Sequence, residues 1–366
     1  MKIALLFGGK SGEHEVSINS ASNIVRQLDP RHKLSLIGIS HDGVWYLQPD
    51  SLAASCREDE AKLQIRTDCP QVLVAPGKGL RVYGNFGAAD LPLDVVIPVL
   101  HGSFGEDGTV QGLLECADLA YVGADVAGSA IAMNKALAKR LWQAAGLPVV
   151  PFEAISHYQW SEQQAAPIVA EAIQRFGWPL FVKPAGTGSS VGTAKALDAA
   201  SLQAAVEQAF KFDTAVLIEP FIAAIEVECA VLGNGQLQVF PPGEVAPTAT
   251  HEFYDYDAKY IDPTGAELFI PARLPAEQLE RVRHLAAQAY ATAGLAGMAR
   301  IDFFVDRKNG AILLNEANTI PGFTEISLYP RMCLAGGLNY PQLLDRLMEL
   351  AIERHQTRRQ LQFTNR

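Results

Sequence analysis

Short unbroken apolar runs alternate along this chain with longer stretches in which apolar residues recur at helical spacing. Lys2–Phe7 and Asp94–Leu100 are continuous runs, the pattern of strands buried on both faces. Lys33–Ser40 and Val44–Leu47 read as further strands, while Ser51–Gly79 shows no readable period. Helices are predicted from the turn after Gly12 to Leu28, from Thr109 onward, and over Gly128–Ala145, Glu162–Phe176, Ala199–Phe210, Ala276–Ala293 and Tyr340–Arg358. Pro179–Pro184, Ala215–Ile222 and Glu226–Leu232 are strand-like. Strands interleaved with helices predict an α/β fold.

Met298–Leu328 is the most informative stretch. It reads as two strands joined at Asp306–Gly310, where Asn-Gly supplies positive φ. Side chains alternate across a strand. Arg300, Asp302 and Phe304 therefore share one face of the first strand, and Leu314, Glu316 and Asn318 one face of the second. If the faces coincide, two carboxylates and an amide oxygen meet over an apolar floor, a donor set suited to Mg²⁺. An ordinary hairpin with two solvated carboxylates fits this pattern equally.

Two glycine loops follow buried strands, Gly8–Gly12 and His101–Gly108, at the carboxyl ends where open α/β sheets bind ligands. The first is neither GxGxxG nor a P-loop. Glu15 near the following helix start is also explained as a helix-dipole partner. Lys183 ends a strand before the Gly/Ser loop 185–192, whose N–H groups and hydroxyls could hold phosphates beside its charge; a plain hairpin loop is the alternative. Glu219 and Glu226 bracket a linker and either accept ribose or adenine hydrogen bonds or face water. Pro247–Glu267 is a long polar, aromatic loop of the kind that closes over a site and excludes water.

Composition narrows the classes. Hydrophobic residues make up 49% and charged residues 19%, as in ordinary globular enzymes. A formal net charge of −10 argues against non-specific nucleic-acid binding. Five cysteines without a CxxC pair suggest neither a disulfide framework nor a zinc site and fit a cytoplasmic location. Met1 leads straight into a strand with no visible signal peptide, and no apolar run is long enough to span a membrane.

In order, FGGKSGEHEVS (7–17), LHGSFGEDGTVQG (100–112), MNK (133–135), FVKPAGTGSSVG (181–192), VLIEPF (216–221), FYDYDAKY (253–260), RIDFF (300–304) and NEANTIPGFTEIS (315–327) resemble the D-alanine–D-alanine ligases of the ATP-grasp superfamily. The resemblance runs from Lys2 to about Glu353. It implies three α/β domains, 1–123, 124–222 and 223–366, with ATP between the central and C-terminal ones. It implies ATP-dependent joining of two D-alanines through an acyl phosphate, for peptidoglycan precursors. By resemblance, Asp302, Glu316 and Asn318 would bind two Mg²⁺ ions, Mn²⁺ being able to substitute. Lys135, Lys183 and Lys259 would contact the ATP phosphates, with Ser190 in the covering 188–191 loop. Glu219, Phe221, Glu226 and Phe304 would hold the nucleoside. Arg300 and the Gly322 N–H would stabilise the oxyanion. Glu15 would bind the first D-alanine with His101 nearby, and Ser327 and Leu328 the second. Glu15, Ser189 and Tyr260 would form one network, and Tyr260 favours the dipeptide over D-alanyl-D-lactate.

A homodimer is expected from the family only. Gly186, Thr187, Pro220 and Glu325 depart from the usual pattern. Rival readings are a D-alanine–D-lactate or other carboxylate–amine ligase on the same fold, and a nucleotide-binding regulatory module without turnover.

Overall fold

The structure, a computed structural model, describes residues 1–84, 87–247 and 266–362. The sheet nearest the N-terminus contains β1 (Lys2–Gly8), β2 (Lys33–Ile39), β3 (Trp45–Leu47), β4 (Gln71–Val74), β5 (Leu80–Gly84), β6 (Gly87–Leu91) and β7 (Val95–Val99), in the order β6-β5-β4-β3-β2-β1-β7. β1 runs parallel to both β2 and β7. Ile3–Phe7 are inaccessible to solvent, which explains the unbroken run. Helices α1 (His14–Gln27), α2 (Asp50–Glu58) and α3 (Thr109–Cys116) belong to this part. The unreadable stretch 51–79 holds most of α2 and all of β4.

Two helices follow, α4 (Val126–Met133) and α5 (Lys135–Ala144), where the sequence predicts one over 128–145. Asn134 breaks it. Its backbone is extended (φ −87°, ψ 96°) and its side chain accepts from the Leu137 N–H, capping α5. This break lets the Lys135 N–H donate to the Ala185 carbonyl (2.9 Å), fixing Lys135 beside the glycine loop.

Strands β8 (Glu153–Ser156), β9 (Leu180–Pro184), β10 (Ala194–Ala196) and β11 (Ala215–Pro220) form a four-stranded antiparallel sheet. α6 (Glu162–Phe176) and α7 (Ala199–Ala209) cover it through Val169, Leu202 and Val206. The third sheet holds β12 (Ala224–Leu232), β13 (Gln238–Val239), β14 (Gly243–Pro247), β15 (Ala266–Phe269), β16 (Met298–Asp306) and β17 (Ile312–Asn318). With it go α8 (Ala276–Thr292), α9 (Leu328–Ala335) and α10 (Tyr340–Arg359). One apolar core joins Ile3, Leu5 and Ile24 to Phe323, Leu344 and Leu347, so both ends of the chain pack together.

Candidate active site

A cleft of about 390 Å³ opens between the second and third sheets. Phe181 and Lys183 on β9, Glu219 on β11, Glu226 on β12, Asp302 and Phe304 on β16 and Glu316 on β17 line it. On β16 strict alternation holds: Ile301, Phe303 and Val305 are buried in the core behind Arg300, Asp302 and Phe304. On β17 it does not. Asp302 pairs with Glu316 but Phe303 pairs with Leu314, leaving a bulge at Asn315. The expectation that Leu314 shares the face of Glu316 is therefore corrected. Leu314 is fully buried in the core, and Asn315 joins Glu316 on the cleft side.

Asp302 is the hub of the cleft floor. Arg300 donates to both its oxygens (2.8 and 2.7 Å), and the Asn318 Nδ2 donates to Oδ2 (3.0 Å). Asn318 thus keeps its carbonyl oxygen for another partner. Arg300 also meets Glu228 on β12 at 3.1 Å. Burial opposes its charge, but Asp302 and Glu228 outweigh burial and hold the guanidinium protonated far above its ordinary range.

Lysines supply the opposing charge. Lys135 lies 3.4 Å from Glu316 and donates to the Thr187 carbonyl (2.6 Å). Lys183 stands 2.9 Å from Glu219 and donates to Asn315 Oδ1 (2.9 Å). Lys139, one turn beyond Lys135, is wholly buried and pairs with Glu219. Burial pulls Lys139 down to about 7, against the Glu219 charge. Burial also raises Glu219, yet the two lysines win and hold its carboxyl below the usual range. Phe221, with Lys195 4.4 Å over its ring, and Phe304 offer the apolar surface. Glu226 lines the same end.

Ser189 and Ser190 both have left-handed backbones (φ 49° and 58°), which turns the 188–191 loop over the cleft. The Ser189 hydroxyl donates to Glu13, not to Glu15. Here the sequence expectation is corrected. Glu13 precedes the first residue of α1 and is buried, whereas Glu15, two positions on, is turned roughly 200° around the helix and is exposed. The motif contains two glutamates, and only the helix start tells them apart.

His101 and a residue not foreseen, Glu106, stand behind Glu13. The His101 Nδ1 donates to the Ile320 carbonyl (2.9 Å), and Nε2 shares a hydrogen bond with the Ser20 hydroxyl (3.0 Å). Burial lowers its affinity for a proton. Glu106 accepts from the N–H groups of Gly102 (2.8 Å) and Ile320 (3.0 Å). Burial and the Glu13 charge push its carboxyl up to about 8.

Gly322 and Ser327 flank the loop from β17 to α9. A Cβ on Gly322 would stand 2.8 Å from the Ser327 Oγ, so glycine is needed for that approach. Ser327 also pairs with Thr324 Oγ1 (2.8 Å). The Leu328 side chain is core, which leaves its backbone at the α9 N-terminus for any ligand. Glu325 is exposed to water. Lys259, Tyr260 and most of the 247–267 loop lie outside the described residues. Glu13, Lys139, Glu106, Asn315 and Glu228 are the site residues that sequence reasoning missed. Glu13, Glu106 and Asn315 lie within the quoted motifs and Lys139 falls four residues after Lys135, whereas Glu228 lies outside every one of them.

Comparison with known proteins adds identity to geometry. The model for the D-ala D-ala ligase N-terminus matches residues 2–124, and that for the D-ala D-ala ligase C-terminus residues 141–349. The D-alanine--D-alanine ligase of Treponema denticola is 48% identical over 364 residues, 99% of this chain and 98% of that protein. The D-alanine--D-alanine ligase A of Salmonella typhimurium is 43% identical over 367 residues, 100% and 99% of the two chains. Among solved structures, the D-alanine-D-alanine ligase of Coxiella burnetii superposes with a TM-score of 0.82 at 37% identity, covering 98% and 96% of the chains. The VanG D-Ala:D-Ser ligase of Enterococcus faecalis gives 0.81 at 35% identity, covering 96% and 99%.

Proposed function

The chain belongs to the D-alanine–D-alanine ligase family, and we propose from that premise that it joins two D-alanines to D-alanyl-D-alanine while ATP becomes ADP and phosphate. Its α/β architecture is that of the ATP-grasp ligases. The observation that carries the reading is one continuous arrangement. Cations and carboxylates face each other across the cleft, and Glu13 is joined to the phosphate-side loop at its end.

A carboxylate is a poor electrophile, so the reaction begins by moving the γ-phosphoryl group onto the carboxylate of the first D-alanine. The amine of the second then attacks the acyl phosphate and releases phosphate. Lys135 and Lys183 orient the phosphates by charge, and the turned 188–191 loop, with Ser190, covers them and excludes water. Glu219, Glu226, Phe221 and Phe304 hold the nucleoside. Glu13 takes the ammonium of the first D-alanine, and Ser189 reports phosphate position to it. Arg300 and the Gly322 N–H face the developing oxyanion, where preorganised donors act most strongly. Ser327 and the Leu328 backbone receive the second carboxylate.

The donor set fits a hard cation. Asp302, Glu316 and the Asn318 carbonyl are all oxygen ligands on facing strands. Two Mg²⁺ ions held there, or Mn²⁺ in their place, would neutralise charge on the phosphates. We propose domain limits of 1–123, 124–222 and 223–366, a homodimer and a cytoplasmic location from the family. Among the described residues no helix is long and apolar enough to cross a membrane.

The test is ADP release with ATP, Mg²⁺ and D-alanine, with mass detection of the product. Parallel reactions contain L-alanine, or D-alanine with D-lactate or D-serine. D-alanyl-D-alanine formed only from the D-isomer supports the reading. Depsipeptide as the main product, or nucleotide binding with no product, overturns it.

A further inference from the structure

We propose that His14, Glu15 and His41 form a binding site for a divalent transition-metal ion of the zinc class, apart from the nucleotide cleft. One ligand atom of each lies within 4.8 Å of the other two. The fold brings them together by two routes. His14 and Glu15 open α1, which follows β1, and His41 stands in the turn after the neighbouring parallel strand β2. That turn is closed by the Gly43 N–H donating to the Ser40 carbonyl (2.9 Å).

Three features make the cluster a ligand set rather than a chance meeting of side chains. First, His14 is only 6% exposed, and its Nδ1 lies 2.7 Å from the Gly9 carbonyl. A carbonyl only accepts, so Nδ1 carries the proton and Nε2 keeps its lone pair. This outer hydrogen bond is the device that fixes tautomer and ring orientation in metal-binding histidines. Second, the His14 and His41 rings are stacked, centroids 3.7 Å apart and planes 22° from parallel. Imidazole lone pairs lie in the ring plane, so the two nitrogens meet on one ion when the exposed His41 ring turns out of the stack toward the His14 Nε2. Third, Glu15 supplies an anionic oxygen from the same helical turn and is exposed, as is His41, so an ion enters without unfolding.

Two imidazole nitrogens with one carboxylate oxygen form a borderline donor set. It selects Zn²⁺, Co²⁺ or Ni²⁺ over Mg²⁺ and leaves a position for water. The all-oxygen set of Asp302, Glu316 and Asn318 has the reverse preference, so the two sites are separable by metal. A bound ion ties the first turn of α1, whose preceding residue is Glu13, to the 40–43 turn.

Titration with Co²⁺ in excess Mg²⁺ tests this, because Co²⁺ with few ligands absorbs strongly in the visible while octahedral Co²⁺ absorbs weakly. One equivalent is expected to give the strong band in the wild type and in Asp302→Ala. His41→Ala and Glu15→Ala, both changes of exposed side chains, are expected to weaken Co²⁺ affinity by about 10- to 100-fold or more. Zn²⁺ is expected to displace Co²⁺ and to raise the Tm of the wild type but not of His41→Ala. No strong band, equal affinity in His41→Ala, or loss of the band in Asp302→Ala overturns the proposal.

Discussion

Replacing Glu13 by Gln tests the amino-acid end of the cleft most directly. The change keeps the shape and the acceptor for Ser189 but removes the charge that would meet a substrate ammonium. Glu13 is 8% exposed, so water replaces little of the lost interaction. A hydrogen bond to a charged group is worth roughly 1.5–3 kcal/mol. At about 1.4 kcal/mol per factor of ten, this corresponds to a loss of roughly 10- to 100-fold in kcat/KM for D-alanine. The effect is expected in the low-concentration arm of a D-alanine titration, followed by ADP release at saturating ATP. Glu15→Gln, on an exposed side chain, is the control and is expected to stay within about twofold. If Glu15→Gln matches or exceeds Glu13→Gln, or if Glu13→Gln changes nothing, the assignment of Glu13 fails.

Glu106 gives a pH test of stability. Its carboxyl rises in the folded protein from 4.5 to about 8, through burial first and the Glu13 charge second. The folded state therefore holds a proton that the unfolded chain has released. This contribution is complete below the unfolded pKa and disappears as pH rises through about 8. Urea unfolding should show the wild type losing a few kcal/mol over that interval, and Glu106→Gln should flatten the slope; equal slopes refute it. Lys139→Met breaks a buried pair, which typically costs about 3–5 kcal/mol. Lys183 remains 2.9 Å from Glu219, so the lower end is expected by chemical denaturation; a loss below about 1 kcal/mol would show that Lys183 alone suffices. Gly322→Ala is expected to displace the Ser327 hydroxyl, raising the KM for the second D-alanine about tenfold while ATP affinity, read by calorimetry, stays unchanged.

The cleft was legible in the sequence wherever one local rule decided the outcome. Alternation on β16 places Arg300, Asp302 and Phe304 together because each residue in between is apolar and buried. The same rule misplaced Leu314, because the bulge at Asn315 is set by the register of β17 against β16 and leaves no mark in the β17 pattern itself. Glu13 and Glu15 are chemically identical, and only the point at which α1 begins separates a buried carboxylate from an exposed one. Asn134 carried a readable capping signal, but the apolar pattern on either side of it hid the break. The contacts of Glu106 with Ile320 and of Lys139 with Glu219 each span more than 75 residues, so no window of sequence contains them. The short strands β4 to β6 bury few side chains and so have little periodicity to show.

The segment 319–323 belongs by chain order to the third sheet, yet most of its fastenings come from the first hundred or so residues. Ile320 is held at its carbonyl by His101 and at its N–H by Glu106, while the Phe323 carbonyl accepts from Asn23 (2.7 Å). The two halves that the family models delimit are thus not interchangeable cassettes. In a chimera that takes its first half from one ligase and its second from another, the seam runs through these hydrogen bonds. Recombination among relatives would have to carry Asn23, His101 and Glu106 together with the loop they secure. These residues are therefore expected to be inherited as a linked set, although 300 positions separate Asn23 from Phe323.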